Sequence, residues 1–138
     1  MVGGAETIRA LGVLSVGETG AAYARRRDEL LRLVGQLPEE DRGRMAHYLR
    51  GGVTVFAAME HTWDVIDGCF ETPGGSGILT DGEYYWRRDS ADYVEHHGVG
   101  LARDFIEHVQ ELQWSPPAVA PDRVLEVDRY LMGRRSGL

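Results

Sequence analysis

The sequence predicts an α+β fold, mainly helical, with five or six helices and one small central β-hairpin in a single globular domain over residues 1–138. Three observations lead there. Apolar residues recur at helical spacing on both sides of the middle of the chain, as in amphipathic helices packed on a core. Near the centre, Asp81-Gly82 stands between the short runs Ile78-Leu79-Thr80 and Glu83-Tyr84-Tyr85-Trp86. A two-residue type I′ turn needs positive φ at both central positions, and Asp-Gly supplies it. Finally, 138 residues, 43% of them hydrophobic, suffice for one buried core.

The elements follow in order. Ala21 to Leu37 reads as a helix with Tyr23, Leu30, Leu31 and Val34 apolar and Thr19 or Glu18 as its cap. Pro38 breaks it and opens a second helix to about Arg50, whose first turn carries Glu39, Glu40 and Asp41 where the macrodipole favours negative charge. Gly51-Gly52 mark a break or a close packing point. Val55, Phe56, Met59, Trp63 and Ile66 then follow helical spacing up to Gly68. Thr72 to Gly77 reads as a flexible loop leading into the hairpin. Asp89 or Ser90 caps a helix ending at His97-Gly98, with Asp92 placed as in an acidic capping box. A helix over Leu101 to Leu112 presents Leu101, Phe105, Val109 and Leu112. After Ser115-Pro116-Pro117, a last one over Pro121 to Met132 presents Val124, Leu125, Val127, Leu131 and Met132. There is no internal repeat.

Composition excludes several functions. A net charge of -7 argues against nucleic-acid binding, which rests on basic patches and counterion release. One cysteine rules out an internal disulfide and a cysteine-based zinc cage. Met1 to Glu6 lacks the features of a signal peptide and no run is long enough for a spanning helix, so the expectation is a cytoplasmic protein with no membrane association. All 15 basic residues are arginine, and lysine and asparagine are absent, which fits a GC-rich bacterial coding sequence.

Charge is uneven. Between Gly51 and Leu112 twelve acidic residues face three arginines, a balance of -9 that exceeds the whole chain's -7. This is either a solvated acidic face or a surface for a basic protein partner. The aromatic set Tyr84, Tyr85 and Trp86, flanked by Asp81, Glu83, Asp92, Glu95, Asp104 and Glu107, has the composition of an interface with an acidic rim. In a strand, Tyr84 and Trp86 point to one face and Tyr85 to the other, so core packing is the competing reading.

Catalytic and metal chemistry have weaker signals. Glu60, His61 and Asp64 are the densest group; on a helix Glu60 and Asp64 would share a face, where burial would tune one as a general base, unless that face simply points outward opposite Met59, Trp63 and Ile66. Asp92/His96 and Asp104/His108 are i,i+4 pairs able to give two ligands each, but no spacing supplies the third, so no cofactor is expected. Cys69 follows an expected helix C-terminus with no visible activator and reads as a small buried hydrophobe. The glycines at 74 to 77 lack the Lys-Ser/Thr of a phosphate loop.

The segment Thr80-Asp81-Gly82-Glu83-Tyr84-Tyr85-Trp86, then Asp89 to Val99, then Leu101 to His108, resembles one found in small, poorly characterised bacterial proteins, mainly actinobacterial, some of which resemble immunity proteins of toxin systems. In that pattern a proline follows the tryptophan and another follows the leucine, where this chain has Arg87 and Ala102. The resemblance covers about a quarter of the chain and transfers no catalytic residue. It implies a non-catalytic immunity or regulatory protein, with a small-molecule enzyme or a homodimer as alternatives.

Overall fold

A computed structural model describes residues 8–15 and 20–136. Among them are five α-helices, a short 3-10 turn (Gly12–Ser15) and six strands in two sheets. The strands are β1 (Arg9–Ala10), β2 (Val53–Phe56), β3 (His61–Trp63), β4 (Glu71–Pro73), β5 (Ile78–Thr80) and β6 (Tyr84–Arg87). The helices are α1 (Gly20–Leu33), α2 (Glu39–Arg50), α3 (Ser90–His97), α4 (Arg103–Glu111) and α5 (Pro121–Ser136).

The expectation of a mainly helical fold with one central hairpin is overturned. The Asp81-Gly82 turn does join β5 to β6, but it is not the expected two-residue type I′ turn: only Gly82 has a positive φ, of 100°, and residues 81–84 lie between the paired Thr80 and Tyr85. This hairpin is the middle of a four-stranded sheet ordered β1-β6-β5-β2, with β1 parallel to β6 and the other pairs antiparallel. A separate two-stranded ribbon pairs β3 with β4. Apart from β1, near the start of the chain, the added strands fall in the stretch expected to be a helix up to Gly68 followed by a flexible loop. The β-branched run Val53-Thr54-Val55 forms β2 instead, because such side chains pack well on a pleated surface.

Alternation along β6 organises the core. Tyr84 and Trp86 join Leu79, Met45, Tyr48, Leu49, Tyr93, Val94, Phe105 and Val109 on the side covered by α2, α3 and α4. Tyr85 joins Ile8, Ile78, Val127 and Leu131 on the side covered by α5. All three aromatics are therefore buried, and Trp86 donates its indole N–H to the Leu49 carbonyl at 3.0 Å.

Helix boundaries follow backbone chemistry. The first helix stops at Leu33 rather than Leu37, and its buried residues Arg26 and Leu30 lie one turn apart, whereas Leu31 and Val34 are exposed. The cap assigned to Thr19 or Glu18 lies outside the described residues. Pro38 precedes α2 as expected, and Gly98, in the left-handed conformation with φ 60°, closes α3. Asp89 precedes α3, but its side chain makes no cap. It takes the Arg87 guanidinium at 3.1 and 2.8 Å and the Thr62 hydroxyl at 2.9 Å, with Arg26 at 3.5 Å. This ion cluster is almost wholly buried. Among the described residues no helix is long and apolar enough to cross a membrane.

Candidate functional site

The ribbon β3–β4 has two unlike faces. His61 pairs with Pro73, Thr62 with Thr72, and Trp63 with Glu71, so with a period of two the threonines point one way and the other four residues the opposite way. Thr62 and Thr72 are buried while His61, Trp63, Glu71 and Pro73 are exposed. The inward threonines are fixed by acids: Thr62 donates to Asp89, and Thr72 donates to Asp92 at 2.6 Å. Gly75, after β4, lies so close to Thr62 that a Cβ there would stand 1.7 Å from the Thr62 hydroxyl, so only glycine lets the turn fold onto the ribbon.

The outward face carries an aromatic ring that the core does not absorb. Trp63 is 61% exposed and Met59, in the loop before β3, is 96% exposed. Glu71 sits directly across from Trp63 and contacts His61, while Glu60 and Asp67 flank the ribbon and are also exposed. From Gly51 to Trp86 the chain has six acidic residues and no arginine.

Behind this face lies a tight loop, Asp64 to Phe70. The buried Asp64 carboxylate accepts the N–H groups of Ile66 at 2.9 Å and Cys69 at 3.1 Å, and the Asp64 N–H donates to the Phe70 carbonyl at 3.0 Å. Arg27 of α1 donates to the Val65 and Ile66 carbonyls at 2.9 and 3.3 Å. The Val65 N–H donates to the Tyr93 hydroxyl at 2.9 Å. His97, the last residue of α3, then brings Nε2 to within 2.7 Å of Asp64, 3.5 Å of Asp67 and 3.8 Å of the Cys69 sulfur.

Electrostatics in the loop follow from these contacts. Burial alone would raise the Asp64 carboxyl, but hydrogen bonds involving Asp67, His97 and the two amides outweigh it and hold the group below the usual carboxylate range. Desolvation, the Asp64 hydrogen bond and the nearby Asp67 and Asp64 charges push the Cys69 thiol up to about 11.

The residues singled out from sequence are redistributed. Glu60, His61 and Asp64 do not share a helix face: Glu60 accepts from Ser76 at 3.2 Å, His61 lies on the outer ribbon face and Asp64 turns inward to His97. Tyr84, Tyr85 and Trp86 are core residues and present nothing to a partner. Asp81 is buried, taking the Tyr48 hydroxyl at 2.6 Å and meeting His108 at 2.8 Å. Several acids of the expected rim face the chain's own arginines: Asp92 and Glu95 meet Arg50 at 2.8 and 2.6 Å, Glu83 and Asp104 meet Arg9 at 3.8 and 3.4 Å, and Glu107 meets Arg103 at 3.9 Å. The two metal pairs fare differently. Asp92 and His96 lie close together with Glu95, where the Arg50 guanidinium pairs with both carboxylates, whereas His108 turns to Asp81 rather than to Asp104.

Cys69 is exposed, not buried. Sequence reasoning missed Met59 and Trp63 as surface residues, and missed the grouping of Asp67, Cys69 and His97. The two short threonine-centred runs His61-Thr62-Trp63 and Glu71-Thr72-Pro73 were the available signal for the ribbon; Asp64-x-x-Asp67-x-Cys69 was the signal for the loop. Comparison with protein-family models, curated proteins and solved structures finds no match for this chain, so the case for its function rests on these side chains.

Proposed function

We propose that this chain is a non-catalytic protein-binding module and that it docks a basic partner on the outer face of the β3–β4 ribbon. The observation that carries this reading is the exposure of Trp63 and Met59 within a stretch that holds acids and no arginine. An arginine or lysine of the partner would lie on the Trp63 ring while Glu71, one strand away, takes its charge. Glu60 and Asp67 would extend the acidic rim and steer encounter. The immunity or regulatory role suggested by the sequence resemblance is one form of such a module.

The test uses a synthetic extended peptide with arginine at alternate positions, titrated calorimetrically into the full chain. Binding should weaken as salt is added, and at least about tenfold on Trp63→Ala or Glu71→Arg. Absence of binding at sub-millimolar peptide, or affinity indifferent to both substitutions, overturns the proposal. So does a dimer, seen by light scattering, that dissociates on Trp63→Ala, because the face would then be occupied by a second copy of the chain.

A further inference from the structure

The loop behind the ribbon does more than connect β3 to β4. Four different donors, the carboxylates of Asp64 and Asp67, the Cys69 thiol and His97 Nε2, place one ligand atom each within 4.8 Å of all the others. We infer that this group is a binding site for a divalent transition metal of the zinc class, with Asp64, Asp67, Cys69 and His97 as its ligands. Nothing in this inference depends on the protein-binding reading.

Around a tetrahedral ion with bonds of about 2.0–2.3 Å, neighbouring ligand atoms stand about 3.3–3.6 Å apart. The distances from His97 Nε2 to Asp67 and to the Cys69 sulfur are 3.5 and 3.8 Å, close to that spacing without an ion. Of the three distances from His97, the one to Asp64, at 2.7 Å, is shorter. It is a hydrogen bond, and an ion taking the place of its proton opens it by about 0.6 Å to reach that spacing.

Chemistry agrees with geometry. One nitrogen, one sulfur and two oxygens suit a borderline ion, and disfavour magnesium or calcium, which prefer all-oxygen shells. His97 ends α3, where the helix dipole favours a cation. The Arg27 guanidinium, which reaches this loop, donates to the Val65 and Ile66 carbonyls. That separates this cluster from Asp92 and Glu95, where Arg50 already supplies the positive charge.

The frame is held in advance. Asp64 is fixed by two amides, Val65 by the Tyr93 hydroxyl, and Phe70 packs edge-on against Tyr93 with centroids 4.8 Å apart. Asp67 and Cys69 are exposed, which leaves an entry path for the ion. Binding exchanges protons for the metal, one from the thiol and one from the Asp64–His97 contact if it is held there, and involves no redox step.

Cobalt(II) is the decisive probe. Because Cys69 is the chain's only cysteine, a thiolate-to-cobalt charge-transfer band can arise only from this site. Titrating Co2+ into the tag-free chain should give that band and the visible absorption of a tetrahedral complex, saturating at one ion per chain, and Zn2+ should bleach both. Cys69→Ser should abolish the charge-transfer band. His97→Ala should weaken zinc affinity by about 100-fold or more, and Asp67→Asn by about tenfold. Cys69 and Asp67 are exposed, so circular dichroism of those two variants separates loss of a ligand from loss of the fold. Absence of the band in the wild-type chain overturns the inference, as does zinc affinity unchanged in both Cys69→Ser and Asp67→Asn.

Discussion

His97 meets Asp64 at 2.7 Å and His108 meets Asp81 at 2.8 Å, each through Nε2 to a buried carboxylate. The two pairs differ in what else surrounds the acid. Asp81 is saturated: one oxygen accepts the N–H groups of Glu83 and Tyr84 at 2.9 and 2.8 Å, and the other takes the Tyr48 hydroxyl and His108. Burial, then the bond to Asp81, pushes the Tyr48 phenol far up, so it remains a donor. Asp64 also takes two amides and its histidine, but that histidine in addition faces an exposed second carboxylate, Asp67, and an exposed thiol, Cys69. A histidine–carboxylate contact is thus neutral as to role. Full occupation of the acid makes it a structural tie, and open neighbours make it a place where an ion fits.

Breaking the saturated pair should have the largest effect. Asp81→Ala strands a buried phenol, an imidazole and two hairpin amides, and should lower unfolding free energy by about 3–5 kcal/mol in denaturant titrations. A loss under about 1 kcal/mol would mean that water replaces the carboxylate and that the contrast is false.

Asp64→Asn should cost less, about 1–2 kcal/mol, since the amide oxygen still accepts from Ile66 or Cys69. Its mark should be the pH profile. The folded state holds the Asp64 carboxyl below its unfolded value, so its contribution is complete above that unfolded value, near about 4. It is lost as pH falls further towards the folded value. Acid unfolding should therefore be shallower in Asp64→Asn, with an unchanged profile counting against the stabilised carboxylate.

The smallest effect concerns reactivity. With its thiol pushed up to about 11, exposed Cys69 in the metal-free chain should alkylate at pH 8 several-fold to about tenfold more slowly than a free cysteine, allowing for solvent screening. Asp67→Asn should recover part of the difference. A rate equal to free cysteine would show that the two carboxylates do not act on the sulfur.

The same contrast explains what was legible in the sequence. Pro38 with its acidic turn, Gly98 and Asp81-Gly82 announced their elements because each acts locally, Pro38 and Gly98 through their own backbone and Asp81 by accepting the N–H groups of Glu83 and Tyr84. The ribbon was hidden because its polarity is inverted: Thr62 and Thr72 point inward to Asp89 and Asp92, while Trp63 points outward. Val55, Phe56, Met59, Trp63 and Ile66 fall at helical spacing, yet three of them lie on two strands and two, Met59 and Ile66, in loops. The acids and histidines were visible as residues, but the pairs Asp64–His97 and Asp81–His108 join different elements far apart in sequence, which no local spacing encodes.

One consequence of the topology concerns time rather than place. Arg9 and Ala10 pair in parallel with Tyr84 and Tyr85, so the first strand of the main sheet borders the last. That contact closes one of the widest loops in the sheet and delivers little reward until β6 exists. During synthesis the segment at Ile8 to Ala10 must wait, its edge unsatisfied, until most of the chain has emerged. The step that seals Ile8 against Tyr85 and α5 therefore belongs to the end of folding.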